Sequence, residues 1–291
     1  MSANGTLRCI DVGSNSIRCM DAAGTVRAPQ FSEKRVFTTR LAEGLTETDR
    51  LSEARMRQSL GVLSMLAEEA RAAGLPLRAY ATSAVRDAAN RDAFLRPAEA
   101  LLGRAVDVLS GTEEAALAFR AATNDTGGGM LDIGGGSTQA VCPPYAASFP
   151  LGCVRARDRF LEAPFDALYA SMLPLLTETY AALPAFPPCA WTGVGGTITT
   201  LGALLNGLDT YDRARVHGCS IRRGAQLGKL AELADMGDAS RAAIPLLAAR
   251  HDVILHGGAL LAYLMARVGC DMLRVSDTDG LEGYALTLLP D

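Results

Sequence analysis

Residues 130–139 read MLDIGGGSTQ: Met130, Leu131, Asp132 and Ile133 run straight into Gly134, Gly135 and Gly136, then Ser137, Thr138 and Gln139. The first four residues suit a buried strand, and the glycines force a turn. Glycine also lets backbone N–H groups approach an anion without a side chain in the way, and hydroxyls add donors for the same oxygens. The acid beside this cradle, Asp132, would repel a bare phosphate. A divalent cation removes the conflict, because Mg²⁺ takes one or two carboxylates together with phosphate oxygens and water.

The pattern occurs twice. Asp11-Val12-Gly13-Ser14-Asn15-Ser16 is echoed 121 residues later, Asp11 to Asp132, by Asp132-Ile133-Gly134-Gly135-Gly136-Ser137. A single strand, glycine turn and serine is common in hairpins, where the acid only caps the turn. Two such loops, each opening its own α/β half, predict a duplicated fold with paired phosphate loops.

Composition is compatible with that reading. The chain has 291 residues and 49% hydrophobic content, enough for two domains with packed cores. A balance of 28 basic against 32 acidic residues excludes a broad basic surface for nucleic acid or anionic lipid, so any anion is held locally. Seven cysteines without a CxxC pair fit reduced thiols in a cytoplasmic protein better than a disulfide or zinc framework. No stretch approaches the ~20 apolar residues that a membrane span needs, and GGALLAYLMARVG (257–269), the nearest, reads as a core helix.

Around the first loop, LRCIDV (7–12) and SIRCM (16–20) read as two strands of a hairpin. A helix follows from Ser52, with Met56, Leu60, Leu63, Ala67 and Ala70 at helical spacing and Gly74 and Pro76 ending it. LRAYAT (77–82) reads as a strand, SAVRDAANRDAFL (83–95) as one helix, AVDVLS (105–110) as a strand and GTEEAALAFRAA (111–122) as a helix. The turn-rich TNDTGGG (123–129) marks a boundary, giving domains over 1–124 and 125–291.

Two further segments carry candidate chemistry. Arg86 and Asn90 are four apart on the expected helix, and Arg86 can fork two hydrogen bonds onto a phosphate. An arginine in a first turn is equally well explained as a solvated surface residue. In LSGTEEA (109–115), Ser110 and Glu113 form a capping box, which leaves Glu114 as the carboxylate available to deprotonate a water. The helix dipole alone would also favour an acid there.

In chain order, CIDVGSNSIR (9–18), ATSAVRDAAN (81–90), LSGTEEA, LDIGGGSTQ (131–139), FPLGCVRARDRF (149–160), GVGGTITTLGAL (193–204) and YDRARVHG (211–218) resemble the exopolyphosphatase and guanosine pentaphosphate phosphohydrolase family. The resemblance implies an α/β fold of two RNase H-like domains, as in actin, Hsp70 and sugar kinases, with an active-site cleft between them. It implies Mg²⁺-dependent release of terminal phosphate from inorganic polyphosphate, or conversion of guanosine pentaphosphate to tetraphosphate. Glu114 matches the catalytic glutamate, and Asp11 and Asp132 the metal-linked acids. Gly13, Ser14, Asn15, Arg86, Gly135, Gly136 and Ser137 match phosphate-contacting positions, and Gly195, Gly196 and Thr197 a further loop. His217 is expected to play a structural hydrogen-bonding role. A symmetric homodimer is the expected assembly.

Three departures sharpen these expectations. The family motif ends Ser-Thr-Glu where this chain has Gln139, which keeps length and an acceptor oxygen at the metal position but loses charge. The chain ends at Asp291, as in the short two-domain forms, which with its negative charge points to short polyphosphate. SDTDGLEG (276–283) lacks an arginine before its Glu-Gly, so a last helix over about 279–290 is expected to pack on the first domain without chemistry of its own. Two rivals remain: a non-catalytic sensor of polyphosphate or alarmone, and an actin-fold sugar or acetate kinase.

Overall fold

The computed structural model describes residues 5–123 and 127–291, and the expected boundary at 124/125 lies outside them. The chain divides into two compact units, Met1–Ala118 with Gly280–Asp291, and Phe119–Asp279.

The first unit carries β1 (Leu7–Val12), β2 (Ser16–Thr25), β3 (Ala28–Phe31), β4 (Arg35–Thr38), β5 (Leu77–Ala81) and β6 (Asp107–Val108), in the order β3-β2-β1-β5-β6 with β4 also on β2. The second carries β7 (Gly129–Ile133), β8 (Thr138–Cys142), β9 (Tyr145–Phe149), β10 (Trp191–Val194), β11 (Ser220–Arg222) and β12 (Met272–Val275), in the order β9-β8-β7-β10-β12-β11. Both sheets are built alike. The opening strand pairs antiparallel with its hairpin partner and parallel with the strand on its other side. This is the α/β class the sequence predicts, two RNase H-like units, and the second sheet adds β11 as an antiparallel edge.

The expected hairpin of the first unit is longer than SIRCM implied, because β2 runs ten residues and turns again into β3. The long helix spans Glu53–Ala72 with Ser52 as N-cap, its hydroxyl accepting from Arg55 N at 3.3 Å. Its fully buried face is Ser59, Leu63, Leu66, Ala67 and Ala70, while Met56 and Leu60 lie at the margin. AVDVLS contributes only the two-residue β6.

One expected helix is two. Ser83–Asp87 ends where Ala88 turns extended (φ −75°, ψ 130°), and a new helix starts at Arg91. Asn90 causes the break. Its side chain accepts from Leu51 N at 2.8 Å and donates to Leu51 O at 2.9 Å, copying a backbone pair that a helical position could not reach. Arg86 and Asn90 therefore do not share a helix face.

The last helix, Gly280–Leu286, belongs to the first unit, where Leu281, Tyr284 and Ala285 pack with Cys9, Met20 and Tyr80. Gly283 is required there: a side chain would strike the backbone of Leu117. Buried Glu282 pairs with Lys34 at 2.8 Å. In the second unit the segment read as a core helix is the buried helix Ile254–Arg267. Among the described residues no helix is long and apolar enough to cross a membrane.

Candidate active site

The two loops fold into the same turn. Gly13 N donates to Ser16 O at 3.1 Å, and Gly134 N donates to Ser137 O at 3.0 Å. A Cβ at either glycine would sit 2.9 Å from the carbonyl closing its turn, so both glycines are required by close approach. The two turns differ across their strands.

In the first turn, Asp11 lies directly opposite Arg18, whose Nε donates to Asp11 Oδ2 at 2.8 Å. Ser14 shares a hydrogen bond with Ser83 at 2.9 Å, and the same short helix carries Arg86 near its end. Arg86 donates to Leu109 O at 2.8 Å and lies 3.4 Å from Glu114. Glu113 is occupied as expected: it accepts from Ser110 N at 2.8 Å and its own N–H reaches Ser110 Oγ at 3.2 Å. The Ser110 hydroxyl and then the Ser110 N–H hold its carboxyl below the usual range. Glu114 thus faces Arg86 while its neighbour caps the helix. Asn15 is buried, with Nδ2 on Ser16 Oγ at 3.3 Å and no partner for Oδ1.

In the second turn, Asp132 lies opposite Gln139. Gln139 is fully buried and donates to Ser137 Oγ at 3.0 Å and Ser148 Oγ at 3.2 Å, while its Oε1 has no hydrogen-bond partner. Thr138 points the other way, as strand alternation requires, and its hydroxyl meets Tyr180 at 2.8 Å inside the core. Its expected role as a phosphate donor is therefore withdrawn. The carbonyls of Gly134 and Gly135 accept from Cys153 N at 3.0 Å and Val154 N at 2.8 Å, tying the turn to the helix Cys153–Arg159.

The loop after β10 closes on Asp132. Gly195 has φ +92°, and a Cβ there would lie 2.6 Å from Asp132 Oδ1. This brings the start of the helix Gly196–Leu205 beside the carboxylate, at the carboxyl ends of parallel strands where α/β folds bind ligands. Thr197 is fully buried, with its hydroxyl against Gly257 of the helix Ile254–Arg267, so only its backbone is available to an anion.

Two candidates escaped the sequence reading. Arg18 is the residue that corresponds to Gln139 under the 121-residue offset, a signal present once the repeat is carried two residues further. Arg250 packs its guanidinium where a side chain on Gly196 would otherwise be, and nothing local in AARHDVIL announces that long-range placement. A third cluster stands on the β12 end: Asp277 accepts from the Tyr211 hydroxyl, pairs with Arg213 Nε at 2.7 Å and donates its N–H to His217 Nδ1 at 3.2 Å. Burial and Asp277 push the Tyr211 hydroxyl up, which keeps it a donor, and His217 has the structural role expected of it.

A family model described as the Ppx/GppA phosphatase family matches residues 22–291. The chain belongs to the Ppx/GppA phosphatase family. It is thereby an enzyme, a hydrolase of phosphoanhydrides. Exopolyphosphatase 2 of Mycobacterium tuberculosis is 34% identical to this Ppx/GppA member over 312 residues, covering 96% of this chain and 97% of its own. The guanosine-5'-triphosphate,3'-diphosphate pyrophosphatase of Photobacterium profundum is 32% identical over 221 residues, 67% of this chain and 43% of that protein. A crystal structure of an exopolyphosphatase-like protein superposes with a TM-score of 0.89 at 27% identity, covering 98% of each chain.

Proposed function

We propose that this Ppx/GppA member is an exopolyphosphatase that releases the terminal phosphate of short inorganic polyphosphate, with Mg²⁺ bound and water as nucleophile. The observation that carries the reading is the 3.4 Å approach of Glu114 to Arg86, a carboxylate base next to a guanidinium that can fork onto phosphate. Terminal phosphate draws Arg86 onto its oxygens and leaves Glu114 to take a proton from water. The water oxygen bonds to phosphorus, the bond to the bridging oxygen breaks, and the products are orthophosphate and a chain one unit shorter. Gly13, Ser14 and Asn15 supply further donors in the same unit, and Gly135, Gly136, Ser137 and Gly196 offer a comparable set of donors in the second unit.

Among the described residues no three His, Cys, Asp or Glu side chains cluster to hold a metal by themselves. Mg²⁺ does not require that, since it is usually held by one or two carboxylates together with substrate oxygens and water. The buried Oε1 of Gln139, without a partner and opposite Asp132, fits such a cation. Asp132 and Gln139 would hold it in the second unit, whereas Asp11, the metal-linked acid of the first turn, is engaged by Arg18. Bound there, Mg²⁺ would neutralise phosphate oxygens.

Guanosine pentaphosphate is the second reading, and the match to the Photobacterium enzyme over 67% of this chain favours testing it. Cytoplasmic residence and a homodimer complete the proposal, the first from an odd number of cysteines without a CxxC pair. The test is Mg²⁺-dependent phosphate release from polyphosphates of graded length and from guanosine pentaphosphate, with Glu114→Ala as control. Release from short oligomers, lost in the variant, supports the proposal. Faster turnover of the nucleotide selects the second reading, and equal cleavage of very long chains refutes the length preference.

A further inference from the structure

Of the seven cysteines, Cys9, Cys19, Cys153 and Cys270 are buried. Cys142 and Cys189 are half-buried, and their sulfurs stand 3.9 Å apart. The chain brings them together for identifiable reasons. Cys142 is the last residue of β8 and pairs with Tyr145 of β9. Cys189 lies in the irregular stretch just before Trp191 of β10. Between the two strands runs β7, whose first residue, Gly129, faces Trp191. A side chain at Gly129 would collide with the Trp191 ring, so only glycine leaves room there.

An aromatic trio then fixes the loop. The Phe186 ring sits edge-on to Tyr145 at 5.4 Å and to Trp191 at 5.2 Å, so the segment carrying Cys189 is held against the strand pair carrying Cys142. Gly129 N donates to Ala190 O at 2.9 Å and holds the residue after Cys189 in place. A disulfide needs its sulfurs about 2 Å apart. Rotation of the two side chains and a small shift of the loop before β10 close the remaining gap, with no strand moved.

We propose that Cys142 and Cys189 form a reversible thiol–disulfide pair, a redox modification site at the end of the second sheet remote from the glycine turn. The co-reactant is a low-molecular-weight disulfide of the glutathione class. The Cys189 thiolate attacks one sulfur of that disulfide and expels one thiolate. The Cys142 thiolate then attacks Cys189 Sγ, forms the protein disulfide and expels the second. The protein loses two electrons and two protons, and the small disulfide is reduced to two thiols. Burial, then contact with Cys189, raises the Cys142 thiol and lowers its thiolate fraction, which the target sulfur 3.9 Å away offsets in the second step. The pair is 47 residues apart in sequence, so the bond closes a long loop and restrains the unfolded chain.

The full chain is incubated with oxidised glutathione, denatured, alkylated and mapped without reduction by mass spectrometry. The expected result is a cross-linked Cys142–Cys189 peptide, five alkylated cysteines in place of seven, a Tm raised by a few degrees, and reversal by dithiothreitol. Cys142→Ser is expected to keep glutathione on Cys189 as a mixed disulfide, and Cys189→Ser to give no cross-link. If seven cysteines are alkylated, or Cys142 and Cys189 in the wild type carry only separate glutathione adducts, the proposal is overturned.

Discussion

The turns after β1 and β7 share one backbone and differ in charge. Each closes by a glycine N–H on a serine carbonyl four positions into the turn, at 3.1 and 3.0 Å. Across the first, Asp11 meets the guanidinium of Arg18; across the second, Asp132 faces the amide of Gln139, which keeps an unpartnered buried oxygen. The first turn sets Arg18 against its acid and has Arg86 and the candidate base in the same unit, while the second sets an acid opposite an acceptor oxygen suited to a cation. The two turns share the geometry that presents backbone amides, and Arg18 and Gln139 at matching positions on the partner strands set their difference in charge.

The largest effect expected from this division is in the first unit. Glu114→Gln should lower phosphate release by roughly 10²–10⁴-fold while leaving Mg²⁺ affinity unchanged, because general-base catalysis is worth about that much. Kinetics combined with a metal-binding titration check both halves.

Arg18→Gln gives the first turn the chemistry of the second. Asp11 is 1% exposed and Arg18 about a quarter exposed, so removing one partner leaves a buried carboxylate short of a charge. A loss of about 2 kcal/mol in unfolding free energy is expected, below the full cost for a wholly buried pair because Arg18 is partly solvated. Denaturant melts measure it.

The reverse substitution sharpens the same contrast. Gln139→Glu places a charge opposite Asp132, where the Ser137 and Ser148 hydroxyls can turn to donate to it. The Mg²⁺ concentration for half-maximal activity should fall by about tenfold, within the range that neighbours of a metal site control.

The smallest effect separates the units by pH. All three histidines, His217, His251 and His256, belong to the second unit. His256 is fully buried, with Nε2 on Phe160 O at 2.9 Å and Nδ1 without a partner. Desolvation lowers its pKa, the Phe160 carbonyl and Glu162 oppose that, and Arg157 and Arg241 reinforce it. With the folded value below the unfolded one, the unfolded chain takes up the proton first. Its contribution to stability is therefore present above about pH 6.5 and lost as pH falls. His256→Gln should flatten the decline in Tm between pH 7 and 5.

Much of this was legible in the sequence because it is local. The two turns, the Ser52 cap and the Ser110–Glu113 box depend on residues within a few positions of one another, and each is present. The helix break at Asn90 was not legible, because its cause is Leu51, 39 residues away. The glycine-loop motif suggests Thr138 as a phosphate donor, but strand alternation sends it to Tyr180. Arg250 reaches Gly196 only through the packing of the second unit.

The most direct test is a Mn²⁺ titration followed by electron paramagnetic resonance on wild type, Asp132→Asn and Asp11→Asn, with Tm recorded for each. Tight binding lost in Asp132→Asn and largely retained in Asp11→Asn is the predicted result. Equal losses in the two variants, or a loss confined to Asp11→Asn, would contradict the assignment of the metal to the turn after β7.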